Sequence, residues 1–300
     1  NTTAANNVAV GFQAATSNTT GANNTAVGKQ ALLSNTTGLH HTAVGQLALA
    51  QNTTGTYNTA LGSFALQNTT TGYRNVGLGY GALRQNTVGF YNIGIGFGAG
   101  GLTTTGDYNV SVGGNALIDN TTGGSNVAIG YGSLTNSTTS SFNTAVGTNA
   151  LEANTTGANN TAVGSQALDS NTTGDDNTAV GFQAAYTQSG SAHSNTAIGR
   201  KSQYSTTTAN SNTSVGFNSL FYTTTGSDNA AVGNNALQAN TTGTGNVAIG
   251  RQALTENTTA SDNVAIGYQT QFKSTTGYQN VCVGKDAGGE IRSGHNNVFI

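Results

Sequence analysis

Proline, methionine and tryptophan are absent from this 300-residue chain, cysteine occurs once, and only 7% of residues are charged. Each absence excludes something. With no proline, every residue keeps its backbone N–H, as a long uninterrupted hydrogen-bonded ladder requires. The lone Cys282 can form no disulfide within the chain and reads as a small buried hydrophobe where other repeats carry Ala or Ser. A net charge of −2 without any basic run argues against nucleic acid or an anionic membrane surface as partner. Apolar runs of a few residues are too short for a transmembrane helix. The four histidines, His40, His41, His193 and His295, share no ligand spacing with acids or the cysteine, so no metal and no cofactor is expected. Asp169, Asp175 and Asp176 lie close in sequence, but acid/base chemistry needs a pocket that solvated turns do not supply. Gly77-Leu78-Gly79 and Gly94-Ile95-Gly96 precede no helix and are not nucleotide loops. The expectation is a protein without catalysis.

What is abundant is glycine, 43 residues, and its spacing is the dominant signal. The glycine that follows Val, Ile or Leu recurs every seventeen residues from Gly11, Gly28 and Gly45 to Gly181, slips by one residue to Gly199, and resumes to Gly284. About seventeen coils of seventeen residues result, with a single insertion between Gly181 and Gly199. A unit this short cannot bury a core alone and must stack on its neighbours. Residues 1–300 therefore read as one continuous array, all-β, a parallel β-solenoid. Both ends fall mid-coil, Asn1-Thr2-Thr3 reading as the tail of a preceding turn, so the chain is expected to be a window of a longer fibre.

Written from its Asn, one coil runs Asn-Thr/Val-Ala-Val/Ile-Gly-x-x-Ala-Leu-x-x-Asn-Thr-Thr-Gly-x-x. The residues before the glycine alternate with period two, as a short strand does. The larger side chains, such as Val127 and Ile129, are assigned inward and Ala128 outward. The expected inner spine is then Val27, Val44, Leu61, Ile129, Val146, Val163, Ile249 and Ile266. A second strand is expected at Ala-Leu, as in Ala31-Leu32 and Ala150-Leu151. Asn-Thr-Thr-Gly, as at Asn35–Gly38, Asn154–Gly157 and Asn240–Gly243, is expected to close the coil with its glycine left-handed. The outward Ala column, Ala26, Ala43, Ala60, Ala145, Ala162, Ala231 and Ala248, would form a smooth apolar strip for another chain.

The sharpest column is the Asn that opens each strand: Asn24, Asn58, Asn75, Asn92, Asn109, Asn126, Asn143, Asn160 and Asn177 among others, with His41 the exception. Stacked in register, these amides would hydrogen-bond along the array. The competing explanation is a plain turn preference for Asn, which would also admit Asp, Ser and Gly. The turns also spell glycosylation acceptors at Asn18, Asn35, Asn52, Asn120, Asn154, Asn171, Asn240 and Asn257, and further at Asn1, Asn68 and Asn136. Aromatics concentrate between residues 73 and 108, where Tyr73, Tyr80, Phe90, Tyr91, Phe97 and Tyr108 would gather on one flank. They would either bind a partner or cover an edge of the roll.

The strand Asn-Val-Ala-Ile-Gly followed by x-x-Ala, at Asn126–Gly130, Asn246–Ala253 and Asn263–Gly267, resembles the head repeats of trimeric autotransporter adhesins. That resemblance implies a left-handed β-roll with three chains around an axis. The coil here is longer, by its Asn-Thr-Thr segment. The full template also resembles repeat arrays of bacterial and phage tail-fibre-domain proteins. Together these imply an extracellular or cell-surface fibre that partners with itself and presents a surface to glycans or host-cell receptors. A phage tail-fibre shaft is the alternative, and an ice-binding array of the turn threonines a weaker one.

Overall fold

The computed structural model describes residues 4–300, so Asn1 and the preceding-turn reading lie outside the described residues. The protein is an all-β parallel β-solenoid of about 17 turns with 17-residue coils and no helix among the described residues. It divides into two compact units, Asn1–Asn149 and Ala150–Ile300. The first carries β1 (Val8–Val10), β2 (Thr25–Val27), β3 (Thr42–Val44), β4 (Thr59–Leu61), β5 (Val76–Leu78), β6 (Ile93–Ile95), β7 (Val110–Val112), β8 (Val127–Ile129) and β9 (Thr144–Val146). The second carries β10 (Thr161–Val163), β11 (Thr178–Val180), β12 (Thr196–Ile198), β13 (Thr213–Val215), β14 (Ala230–Val232), β15 (Val247–Ile249), β16 (Val264–Ile266), β17 (Val281–Val283) and β18 (Val298–Phe299). Within each unit every strand pairs in parallel with the equivalent strand of the next coil, Thr25 beside Thr42, Ala26 beside Ala43, Val27 beside Val44.

Strand parity is the reverse of the expected one. Ala26, Ala43, Ala60, Ala145, Ala162, Ala231 and Ala248 are fully buried and form no outer strip. The residues assigned to an inner spine face outward: Leu61 is 45% exposed, Ile129 39% and Ile249 41%, Val163 and Ile266 are similar, and Val27, Val44 and Val146 are half-buried. The cause is the width of the interior. The Leu column, including Leu32, Leu66, Leu83 and Leu151, already fills it. At Gly94, which takes the Ala place, even an added Cβ would come within 2.8 Å of the Leu83 Cγ. In the coils that carry Ala a methyl just fits opposite leucine; a branched side chain does not.

The second strand is likewise not formed, and each coil has one strand of two or three residues. The Ala-Leu segment is a tight curl in which the second and fourth residues after the glycine are left-handed, as at Gln30 (φ 59) and Leu32 (φ 50). Its backbone is still laddered, Gln30 N–H donating to Phe12 O at 2.8 Å and Leu32 N–H to Ala48 O at 3.0 Å. A left-handed leucine costs roughly 1–2 kcal/mol. Full burial of its side chain returns about 1.5–3 kcal/mol, so packing wins.

The two glycine columns serve different ends. The strand-end glycine takes a left-handed conformation, φ 134 at Gly28, and a Cβ there would lie 2.5 Å from Gly45 O. The turn glycine does not, contrary to expectation: Gly38 has no positive φ, and only the crowding of Gly55 O and Asn35 Oδ1, each 2.4 Å from a would-be Cβ, excludes a side chain. The single insertion enters the turn before β12, shifting the pairing to Thr178 beside Thr196. There Gln188, one methylene longer than Asn, reaches across the extra residue to Ala192 O at 3.2 Å, as Asn171 reaches Gly174 O at 3.1 Å.

Candidate interaction surface

Two columns of buried amides hold the coils in step. In the strand-opening column, the Asn92 amide donates to Gly106 O at 2.7 Å, while its Oδ1 accepts the Asn109 backbone N–H at 2.9 Å and the Asn109 amide at 3.2 Å. The same pattern links Asn58 to Asn75, Asn75 to Asn92, Asn109 to Asn126, Asn126 to Asn143 and Asn160 to Asn177. Asn24 donates to Gly38 O at 3.0 Å and accepts from the His41 N–H.

His41 reproduces the amide's two roles with an imidazole. Its Nε2 lies 2.8 Å from Gly55 O and its Nδ1 accepts the Asn58 N–H at 3.2 Å, which assigns the proton to Nε2. Burial holds this ring neutral and lowers its pKa from the ordinary 6.5 to about 4, against the raising effect of the Gly55 carbonyl, while the Asn58 N–H aimed at Nδ1 can be accepted only by the neutral ring. Between those values the unfolded chain binds the proton and the folded chain does not. Stability is therefore full above about pH 6.5 and is lost on acidification toward 4, by about 3 kcal/mol at about 1.4 kcal/mol per pH step. The variant His41→Asn is expected to lose this component, so its urea midpoint should fall less than that of the parent between pH 7 and 4.5. Equal falls would contradict the assignment. Asp169, whose carboxyl is pushed up to about 6 by burial and then by the Glu152 charge, is common to both chains and cancels.

The second column is the first Asn of each Asn-Thr-Thr-Gly turn, and it overturns the glycosylation reading. Asn18, Asn35, Asn52, Asn120, Asn154, Asn171, Asn240 and Asn257 are all buried. The Asn35 amide, for example, is held by Gly38 O and Asn18 Oδ1, both at 2.9 Å. A glycan on that nitrogen would have to displace the neighbouring coil. Asn68 and Asn136 stand one residue earlier and are half-buried and exposed respectively. The turn threonines point their hydroxyls along the stack, Thr36 Oγ1 donating to Thr53 O at 2.9 Å. Where the next coil lacks Asn, the ladder breaks: the side-chain oxygens of Asn52, Asn86, Asn120, Asn171 and Asn257 are buried without a partner, each followed by Thr, Ser or Gln. Thr69→Asn should supply the missing donor to Asn52 Oδ1 and stabilise the chain by about 1 kcal/mol, read as a raised urea midpoint; a lowered one would contradict the ladder.

With the amides inside, the outer face of the strands in each unit carries two columns of β-branched or aliphatic side chains, bounded by the residue before Asn on one edge and the residue after Gly on the other. The aromatics singled out in the sequence line both edges. On the first, His40 stacks on Tyr57 at 4.8 Å, the Arg74 guanidinium lies 5.8 Å from the Tyr57 ring and 5.2 Å from the Tyr91 ring, and Tyr91 stacks on Tyr108 at 5.4 Å. Tyr73 and Phe90 stack beside them at 5.0 Å. On the second edge Tyr80 stacks on Phe97 at 5.5 Å, above a notch of about 190 Å³ left by Gly81, Gly98 and Gly101. Near-parallel rings cover one another's faces within a stack, which leaves an outer face free only at a stack end, as at Phe97 and Tyr108, both more than half exposed. Cys282 takes the Ala place in β17, and burial raises its thiol pKa. Among the described residues no group of three or more His, Cys, Asp or Glu could hold a metal ion. No protein-family model and no curated protein matches this chain.

Proposed function

We propose that this chain is a structural segment of an extracellular or cell-surface fibre. In this reading it assembles with copies of itself, as a homotrimer, and presents a repeated surface for adhesion to cells, matrix or glycans. The observation that carries this is the outward Val/Ile/Leu column, repeated coil after coil with Thr or Val beside it. A contiguous apolar strip of that extent is unusual on a surface facing only water. Repetition multiplies any weak contact made at the edges. Support for a non-catalytic role comes from what the side chains do: the buried polar groups are spent on joining coils. The resemblance to adhesin head repeats points the same way.

Light scattering of the purified chain tests the assembly, with a mass of three chains expected and a single-chain mass at all concentrations refuting it. Retention of chain-coated beads on cells or glycan surfaces tests the adhesion. Ice recognition has one observation in its favour, the outward strand threonines Thr25, Thr42 and Thr59. The column turns to Val76, Ile93, Val110 and Val127 and returns to threonine from Thr144 to Thr213, but the outward column beside it is Val, Ile or Leu rather than Thr, and absence of thermal hysteresis would dismiss the reading.

A further inference from the structure

In the second unit the two edges of the outward strand face carry opposite charge. Immediately before the ladder Asn stand Asp176, Asp228 and Asp262; immediately after the strand glycine stand Arg200 with Lys201, Arg251, and Lys285, which has one acid beside it on its own edge, Asp286 at 3.9 Å. Apart from the half-buried Lys201 these are exposed. Among the described residues the ion pairs are His193–Asp175, Lys273–Glu290 and Lys285–Asp286, and none joins the two edges. They could not be joined within a chain, because the strand and its flanks separate them by about 20 Å at about 3.3 Å per residue. The acids of the position one earlier behave differently: Asp175 Oδ1 accepts the Ala158 N–H at 2.7 Å and is occupied. The cations lie over rings, Arg200 over Phe182 and Phe217 and Arg251 over Tyr268, which holds them on their edge.

The charges are also in step. Asp176 opens β11 and Arg200 follows β12; Asp228 opens β14 and Arg251 follows β15; Asp262 opens β16 and Lys285 follows β17. Each acid is answered one coil later.

We infer that the second unit pairs with a second copy of itself in the parallel sense, the acidic edge of one copy against the basic edge of the next, one coil out of step. This rests on the self-assembly proposed above and adds its direction and register. Symmetry selects the direction. Rotation about an axis along the stack, whether twofold or threefold, brings an acidic edge against a basic one. Packing the same faces antiparallel sets acid against acid and base against base. The offset of one coil is a diagonal of about 4.8 Å, within the span of Arg and Lys side chains.

The test is the association of the full chain by sedimentation and light scattering at low and high salt. One variant carries Asp176→Lys, Asp228→Lys and Asp262→Lys; the other carries Arg200→Glu, Lys201→Glu, Arg251→Glu and Lys285→Glu. Each alone is expected to associate roughly 100-fold more weakly or worse, since like charges then face one another. Both sets together on one chain exchange the edges and should restore association, which also shows that the substitutions do not simply unfold it. If the parent associates but either single-edge variant matches it within a few fold, the charge register is wrong and the aspartates serve only their left-handed backbone position, φ 58 at Asp176. If the parent does not associate at any concentration, self-assembly itself fails and this inference with it.

Discussion

Asn92→Ala is expected to cost about 2–6 kcal/mol, far more than removal of a surface turn residue. Truncation leaves two buried backbone groups with no replacement partner, Gly106 O and the Asn109 N–H, each at about 1–3 kcal/mol. The Asn109 amide keeps its bond to Gly123 O at 2.9 Å, so the damage stays within two coils. Hydrogen exchange should report it as faster opening around β6 and β7 while distant coils are little changed, as nearest-neighbour stacking predicts. Two further substitutions separate the ladder from a turn preference. Asn92→Gly and Asn92→Asp suit turns but cannot donate to Gly106 O, and both are expected to be as damaging as Ala or worse. Asn92→His can donate and accept as His41 does, and at neutral pH is expected to retain most of the stability. Tolerance of Gly and Asp with failure of His would mean that the amide bonds contribute little.

The seventeen-residue period and the Asn column were legible because a stacked array repeats its constraints, and any position facing its own copy cannot vary freely. Strand parity was not read correctly, since size and hydrophobicity alone favour Val27 over Ala26 as the inner residue. The deciding quantity is interior width, which no single coil displays. A signal was nonetheless present: in the Ala column only Gly77, Gly94, Ser111, Ser214 and Cys282 replace Ala before Phe299 in the last coil, whereas the neighbouring column ranges over Val, Ile and Leu. A column restricted to small side chains is a confined one. The curl at Ala31-Leu32 was hidden because leucine gives no hint of a left-handed backbone, and it is adopted only because the side chain gains burial. The acceptor motifs misled for a related reason: Asn-Thr-Thr-Gly forms a turn, but its Asn points into the stack. The charged edges become readable only once the face between them is known to be the outer one.

That face can be separated from the core by two leucines five residues apart. Leu66 is fully buried, and Leu66→Ala should lower folding stability by about 2–5 kcal/mol through lost burial and the void left behind. Leu61, 45% exposed, should change the stability of the single chain by no more than about 0.5 kcal/mol when replaced by Ala. Its loss should appear instead in self-association, weakening it as a gap in the outward column would. Ala60→Val completes the set: it adds two methyls opposite a filled Leu column and is expected to destabilise by about 1–3 kcal/mol, although valine favours strands. Urea unfolding monitored by circular dichroism gives the first quantity, and light scattering at matched concentrations gives the second. A large fall in the unfolding midpoint for Leu61→Ala, with Leu66→Ala close to the parent, would put the interior on the other side of the sheet. The opposite pattern with unchanged association would leave the fold standing and remove the outward column from the assembly interface.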